Sequence, residues 1–520
     1  MKKPAAKPRK PAAKSRKKRA GPLDTMFSGV DMDALRLLME SLPVEDRSVA
    51  DMIEPFLSAD PTSVEEMPEG EAISELAEEL DRLRVDANGG DPRARAALSR
   101  ARGMIDEAAA QDAIHPGILM ILGRAFEGAH VDIGDAARAS MGRMVAHGVL
   151  REPGDEAYRD LLNNLVADDF TLHEEIRCLS AIFPADYRAR LVEGFAADAD
   201  EAARRSAVGF LLDPDDTTAL AALRGLAAAA AGGGLDAVAR RRIALIRPWL
   251  TAARRDAVDR AFPADLAAGA PVSASIVGAS ASACDGSGAS SLIATVKRGA
   301  RFDVVAVMAK PSGVADSYVM EKLTRKEVEA VQQGARGATP SADTPLEPWL
   351  RLVRLALGRN RAGDTPPPFE FVRAVEALGL GALVPDETTP ADIIGSLLAD
   401  FPDRDDPAAI EQAHESVLEM DAADNWFEAG EAVEAVLRPA ADIGAGARAL
   451  LEHHLPKRRA FWASQCALTA LALKEATRPE PWRELALVGR DVLGDAPLSD
   501  IPLMVQIAER SAAAFFAYGA

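Results

Sequence analysis

A capping side chain followed directly by proline recurs along this 520-residue chain, and each pair predicts where a helix begins. Only 5% of the residues are aromatic, and alanine, the best helix former, supplies much of the apolar content. We therefore expect a mainly α protein built from many short helices. The pairs are Asp60-Pro61, Asp91-Pro92, Asp213-Pro214, Asp406-Pro407, Thr344-Pro345 and Thr389-Pro390, the two threonines being followed by Glu347 and Asp392 as in a capping box.

The tetrapeptide FPAD occurs at residues 183–186 and again at residues 262–265, 79 positions later. This separation fits two units of about 40 residues, the length of many helix-pair repeats. In its spacing the region resembles HEAT-type repeats, which implies stacked helical hairpins. Helical hairpins without true repetition would give the same pattern, so both arrangements remain open.

The helical spacing is interrupted between residues 272 and 333. Apolar residues alternate from Leu292 to Val296 and again from Phe302 to Met308, with a turn at residues 297–301 between them. An earlier strand at residues 275–283 completes a three-stranded β-meander, and a helix follows at residues 325–333. The sequence therefore predicts a small α/β module inserted into a helical chain.

Composition and spacing divide the chain into five segments. The stretch from residue 334 to residue 344 is rich in Gly, Ala, Ser and Pro, which is typical of a linker. The predicted segments are a disordered basic tail (1–22), a helical domain with repeat-like spacing (23–268), the small α/β module (272–333), the linker (334–344) and a C-terminal helical domain (345–520).

The first 20 residues contain ten Lys or Arg and no acid, so the rest of the chain carries a formal charge of −30 within an overall −20. Like charges and three prolines oppose folding of this tail. A mobile cationic segment binds polyanions such as DNA or RNA by releasing counterions, and the acidic body of the same chain is an alternative partner. The predicted polyanion-binding residues are Lys2, Lys3, Lys7, Arg9, Lys10, Lys14, Arg16, Lys17, Lys18 and Arg19.

Glycines and polar side chains coincide at residues 285–288. The Asp-Gly pair favours a tight turn, because the segment lacks the Lys-Ser/Thr pair of a phosphate-binding loop and the strand-to-helix elbow of a hydrolase. If the α/β module forms a pocket against the helical body, the polar groups expected to line it are Asp285, Ser287, Arg301 and Asp303.

Seven histidines and three cysteines show no zinc-binding spacing, so neither a metal nor a cofactor is predicted. His173 with the two glutamates after it is interpreted as a solvated helix face. Three arginines recur every seven residues and are interpreted as one exposed face of a single helix. They are Arg240, Arg247 and Arg254.

These features favour a non-enzymatic interaction scaffold or adaptor whose helices contact an unidentified protein partner while its tail binds DNA or RNA. One alternative is an enzyme with its site at the junction of the α/β module and the helical body. Another is a regulator that is autoinhibited by electrostatic attraction between tail and body. The sequence has no apolar stretch of bilayer length and no signal-peptide pattern, so a cytoplasmic protein without a membrane partner is expected.

Overall fold

The structure, a computed structural model, describes residues 48–58, 70–88, 91–111, 114–148, 168–262, 266, 274–338, 340–474 and 481–518. The predicted basic tail lies outside these residues, as does the helix start expected at Asp60-Pro61. The chain divides into residues 1–48 and a compact unit of residues 49–520. All helices and strands named in the following belong to the second of these.

Within the described residues the protein is mainly α, as the sequence predicts, with 21 α-helices and one five-stranded sheet. The helices before the sheet are α1 (Val49–Ser58), α2 (Gly70–Asn88), α3 (Pro92–Ala110), α4 (Pro116–Gly128), α5 (Asp135–Ala146), α6 (Asp169–Ser180), α7 (Ala185–Ala197), α8 (Glu201–Ala207), α9 (Asp216–Ala231), α10 (Ala237–Ile246) and α11 (Ala252–Ala261). Those within and after the sheet are α12 (Arg325–Ala338), α13 (Leu346–Ala362), α14 (Glu370–Ala377), α15 (Pro390–Leu398), α16 (Pro407–Leu418), α17 (Glu431–Leu437), α18 (Ile443–His453), α19 (Arg459–Leu473), α20 (Trp482–Leu493) and α21 (Pro502–Tyr518).

Three of the predicted helix starts are confirmed. Asp91 caps α3 by accepting a hydrogen bond from the Arg93 amide at 2.8 Å, and Asp406 caps α16 in the same way. Thr389 and Asp392 form the reciprocal capping box of α15. The sequence signal succeeds here because the capping bonds lie within one turn of the chain.

Two predicted helix starts differ from the structure. Asp215, not Asp213, caps α9, because Asp213 is buried and paired with Arg188 at 3.1 Å. α13 begins at Leu346 without a side-chain cap, because the Thr344 hydroxyl donates to the Ala342 carbonyl of the preceding strand.

The sheet is antiparallel and contains the three predicted strands. Its strands are β1 (Ser275–Ser282), β2 (Ser290–Arg298), β3 (Arg301–Lys310), β4 (Gly313–Leu323) and β5 (Ser341–Asp343), in the spatial order β4-β3-β2-β1-β5. Gly299, with φ +62°, forms the two-residue β2–β3 turn, which pairs Arg298 with Arg301. Leu292 faces the main core, whereas Val304 on the opposite face packs against Val328 of α12. Both faces of the sheet are therefore covered.

The predicted linker at residues 334–344 is wrong. α12 continues to Ala338, and Ser341–Asp343 pairs with β1 as an edge strand. The composition of this segment is typical of a linker, but it does not prevent a short strand. Only Ser341, Ala342 and Asp343 have to pair with β1. The sheet therefore extends to Asp343, beyond the predicted end of the module at residue 333.

Two large hydrophobic clusters stabilise the described part of the chain. One runs from Val49 to Tyr187 and joins α1–α5 with the start of α7. The other runs from Phe170 to Ala512 and contains one face of the sheet, with Trp349, Trp426 and Trp462 fully buried. The sheet therefore shares a core with helices that precede and follow it in the sequence.

None of the helices in the described ranges combines the length and the apolar composition that crossing a membrane requires.

Candidate functional site

Asp285 and Ser287 lie in the turn between β1 and β2. One carboxylate oxygen of Asp285 accepts hydrogen bonds from the Ser287 amide (2.9 Å), the Ser287 hydroxyl (2.7 Å) and the Ala289 amide (2.9 Å). Gly286 packs so closely on the Asn425 carbonyl oxygen that a Cβ would lie 2.3 Å from it. The segment is therefore a packed turn, as the sequence favours, and its polar groups are used within it.

Arg301 and Asp303 lie at the other end of the sheet. Asp303 accepts from the Arg298 guanidinium at 2.9 Å and from the Lys322 amide at 3.0 Å. β2 and β3 pair from Ser290 to Arg298, so roughly 30 Å of strand separates the two ends. The structure does not bring the four predicted pocket residues together.

A cleft of about 350 Å³ opens where the turn between β3 and β4 meets the helical body. If the protein were an enzyme, its site would be expected at this junction of the sheet and the helical body. The residues that line the cleft, however, are not the four predicted ones. Its walls are three aromatic rings, a run of prolines and the start of β4, and five of its lining side chains are acidic or imidazole groups. The residues that matter for its chemistry are His130, Phe170, His173, Glu174, Arg177, Phe210, Asp213, Ser312, Ala315, Phe369 and Glu370.

His173 is buried between two of the aromatic rings. Its ring centroid lies 4.5 Å from that of Phe210 and 4.8 Å from that of Phe369, and Nδ1 is 3.2 Å from the Ser206 carbonyl oxygen. Burial lowers the pKa of His173 to about 4, so the ring is neutral at physiological pH. Nδ1 then carries the proton and donates a hydrogen bond to the Ser206 carbonyl, which leaves Nε2 as an acceptor.

The predicted solvated face is therefore wrong for His173. The residues that bury this histidine, Ser206, Phe210 and Phe369, come from segments far along the chain. The Glu174 side chain does lie at the surface, 48% exposed, and the less exposed Glu175 pairs with Arg124 at 2.7 Å.

Glu174 is fixed by a pair of hydrogen bonds from one arginine. Arg177 donates through Nε (2.9 Å) and Nη2 (2.7 Å) to the two carboxylate oxygens, and it also pairs with Glu127. Burial alone would raise the pKa of Glu174, but the Arg177 bonds and charge, helped by the Cys178 thiol, lower it to about 2. Glu174 is thus a permanent anion, while burial raises the pKa of Cys178 and makes it a poor nucleophile.

Glu370, the first residue of α14, is the acid in the cleft without a fixed partner. It forms no ion pair with any residue that the structure describes, because Arg373 is directed to Asp168 (3.3 Å) and Glu321 (3.4 Å). Burial raises the pKa of Glu370 to about 7; the Arg373 charge opposes this rise, and nearby carboxylates, including Asp168, add to it. The carboxyl group is therefore partly ionised at neutral pH.

Asp213 is a second buried carboxyl group at the cleft. Burial raises its pKa, which the positive charge of Arg188, 3.1 Å away, opposes. The arginines near the cleft, Arg177, Arg188 and Arg373, each pair with a carboxylate of the chain. What the cleft offers to a ligand is therefore mainly hydrogen-bond acceptors and negative charge.

The arginines predicted to share one exposed helix face do not do so. Pro248 interrupts the helix, so a 3-10 turn at Arg247–Trp249 separates α10 from α11. Arg254 is buried and bonds Asp216 and the Asp213 carbonyl, both at 2.6 Å. Among the neighbouring arginines Arg242 is also buried, paired with Asp169 at 3.0 Å.

Within the described ranges no three His, Cys, Asp or Glu side chains are placed so that they could hold a metal ion together. Cys178, Cys284 and Cys466 are all buried and unbonded to one another.

The fold and the cleft define a mainly helical protein with an inserted five-stranded antiparallel sheet and a binding-sized cavity at their junction. Residues 184–269 match a family model described as the Y4lR second domain, and residues 391–516 match that of the Y4lR C-terminal helical domain. Over 237 residues the chain is 26% identical to the uncharacterised protein y4lR of Sinorhizobium fredii (strain NBRC 101917 / NGR234). That match covers 44% of this chain and 45% of the relative, so less than half of the relative's length is represented. No solved structure matches the chain.

The cleft lies largely outside these matched segments. Gly209, Phe210 and Asp213 fall within the second-domain match. His173 precedes that match, and Glu370 lies between the two matched ranges. Sequence reasoning missed the cleft because its walls come from five separate segments of the chain. The one local signal is the run of three prolines at residues 366–368, which interrupts the helical spacing and directly precedes Phe369 and Glu370.

Proposed function

We propose that this chain is a cytoplasmic, non-enzymatic interaction protein that binds a partner in the cleft beside β4 and a polyanion through residues 1–20. The observation that carries the proposal is the cleft itself. Its acceptors are held in place by the protein before any ligand arrives: His173 by the Ser206 carbonyl and two rings, and Glu174 by Arg177. Such preorganised groups favour recognition, because binding then costs little side-chain entropy.

The proposed polyanion binding rests on charge alone. Ten cationic side chains within 20 residues, with no acid among them, give the salt-dependent affinity that phosphate backbones confer. Fluorescence anisotropy with labelled DNA and RNA at low and physiological salt tests it. We expect deletion of residues 1–20 to abolish binding and leave the melting temperature unchanged. Salt-sensitive binding that survives the deletion would contradict this assignment.

The cleft is tested by site-specific photo-crosslinking in the full chain. A benzoylphenylalanine at Ala315, which is exposed and lines the cleft, should crosslink a bound partner. The same group at Val384, which is 63% exposed and does not line the cleft, is the matched control. A partner that crosslinks equally from both positions would overturn the proposal.

One observation favours an enzyme as the second candidate function. Glu370 titrates near neutral pH in a cavity at the junction of the sheet and the helices, which suits a general acid or base. A compound that both the wild type and Glu370→Gln bind, but that only the wild type converts, would support this function. Binding without conversion by either protein would leave the interaction protein as the better account.

A further inference from the structure

We infer that the cleft recognises a guanidinium group, so that the proposed partner inserts an arginine side chain between Glu370 and His173. This inference rests on the proposed function and names the chemistry of its binding site. It follows from three features of the cleft: its uncompensated charge, the direction of its polar atoms and the shape of its walls.

The charge of the cleft is the first feature. Glu174 remains ionised, and Glu370 has no ion-pair partner among the described residues. The carboxylates of Asp168 and Asp316 lie close enough to influence Glu370, and the nearest arginine, Arg373, is already paired. An incoming cation would therefore meet a carboxylate that has lost water without gaining a partner, whereas an anion would meet repulsion.

The polar atoms of the cleft are the second feature. His173 is only 7% exposed and lines the cleft, and its Nε2 forms no hydrogen bond to a described residue. Because Nδ1 already donates to Ser206, Nε2 is left to accept a hydrogen bond from a ligand. A neutral imidazole acceptor and a carboxylate from different elements together suit a ligand with several N–H donors. A guanidinium has five in one plane, while an ammonium offers three from a single atom.

The aromatic lining is the third feature. Phe210 and Phe369 enclose the imidazole and are only 1% and 5% exposed, so they hold the acceptor in place at an apolar wall. The chain itself holds an arginine against such a ring nearby. The guanidinium carbon of Arg242 lies 4.3 Å from the ring centre of Phe170, and its nitrogen atoms pair with Asp169 and Glu376. A carboxylate beside a phenylalanine ring is thus a geometry that holds arginine in this same region.

Three small probes test the inference on the full-length protein. N-acetyl-arginine methylamide carries the guanidinium, the citrulline analogue is its neutral isostere, and the lysine analogue carries an ammonium. Affinities are measured by ligand-observed NMR at pH 8, where Glu370 is ionised. We expect the arginine probe to bind at least about tenfold more tightly than either other probe, the equivalent of one charge-assisted hydrogen bond. Equal binding of citrulline or of lysine would overturn the inference.

Two variants locate the binding site. Glu370→Gln should weaken arginine binding at least about tenfold. Ala315→Trp should block the cleft sterically, and it tests the same site if Glu370→Gln folds poorly. Glu415→Gln, which alters an exposed carboxylate on α16, is the matched control and should leave affinity unchanged. Arginine binding that survives both cleft variants, or falls equally in the control, would contradict the assignment.

The two proposals fail in different ways. A partner that crosslinks through position 315 while the arginine probe does not bind would refute the guanidinium assignment and leave the interaction function standing. An arginine probe that binds in the cleft while no partner crosslinks there would refute the interaction function and leave the guanidinium site standing.

Discussion

Gly209 lies directly against His173, so closely that a Cβ at position 209 would be 2.5 Å from Nδ1 of the imidazole. The same Cβ would lie 2.7 Å from Cγ of Phe369. Real Cβ atoms essentially never approach other heavy atoms so closely, so only glycine at this position allows the histidine to sit between its two rings. The lack of a side chain at Gly209 is therefore what allows the His173 imidazole to occupy its position in the cleft wall.

Gly209→Ala should therefore destabilise the protein and displace the His173 ring. Overpacking of this kind typically costs about 1–3 kcal/mol, measured as the free energy of unfolding in urea. Gly194→Ala is the control, because a Cβ there meets nothing within 4 Å and alanine favours the α7 helix. The control should be neutral or slightly stabilising. Equal effects of the two substitutions would contradict the packing argument.

Arg242 joins α10 to α6 and α14 through buried ion pairs. It bonds Asp169 at 3.0 Å and Glu376 at 3.3 Å. Arg242→Met should lower the free energy of unfolding by about 3 kcal/mol, because it leaves a buried carboxylate unpaired while Glu376 keeps Arg241. Arg325→Met removes an exposed pair with Glu329 and should cost less than about 0.5 kcal/mol. A loss for Arg242→Met no larger than this control would refute the prediction.

The sequence predicts those parts of the fold that depend on neighbouring residues. Thr389 and Asp392 form their capping box, and alternation from Leu292 to Val296 becomes a strand with one face in the core. β5 is missed, since three small residues carry no periodicity until β1 lies beside them. Local bonding and side-chain alternation are encoded within a few residues, whereas edge pairing is not.

The cleft depends on contacts that no local pattern contains. His173 looks like a surface residue in its own helix, and it is buried by Phe210 and by Phe369, almost 200 positions away. The arginines from Arg240 to Arg254 have helical spacing, but Pro248 separates them into two helices with different neighbours. Burial and charge pairing are tertiary properties, so the titration of Glu370 could not be predicted from its neighbours in sequence.

Glu428 is a buried carboxylate in the C-terminal helical region and accepts two hydrogen bonds on one oxygen. Trp462 donates through its indole N–H and Arg458 through Nε, both at 2.8 Å. Glu428→Gln should cost about 3 kcal/mol in urea unfolding, because an amide satisfies these donors less well and leaves Arg458 without its counter-charge.

Two comparisons test this assignment. Glu431→Gln changes an exposed acid in the first turn of α17 and should cost less than about 1 kcal/mol. Trp462→Phe combined with Glu428→Gln should cost less than the sum of the single substitutions, because the two residues share a bond. Strict additivity would show that the hydrogen bond contributes nothing to stability.

Glu370 should make the stability of the protein fall as the pH rises. Its pKa is about 7 in the folded protein and close to 4.5 when unfolded, so folding favours the protonated form between these values. Unfolding then releases a proton, and the stability present below about pH 4.5 is lost as the pH rises through 7. Because the group is partly exposed, we expect a loss of about 1–2 kcal/mol, less than the full shift implies.

The difference between wild type and Glu370→Gln isolates this effect. His173, whose pKa is lowered, contributes the opposite slope between about pH 4 and 6.5, but it is present in both proteins and cancels. Urea unfolding at pH 5 and pH 8 should show Glu370→Gln gaining about 1–2 kcal/mol relative to wild type at the higher pH. Glu415→Gln should follow the wild type at both values. A Glu370→Gln variant with the wild-type pH dependence would mean that the carboxyl group is fully solvated, and the cleft would then lack the unpaired, partly buried acid on which guanidinium binding depends.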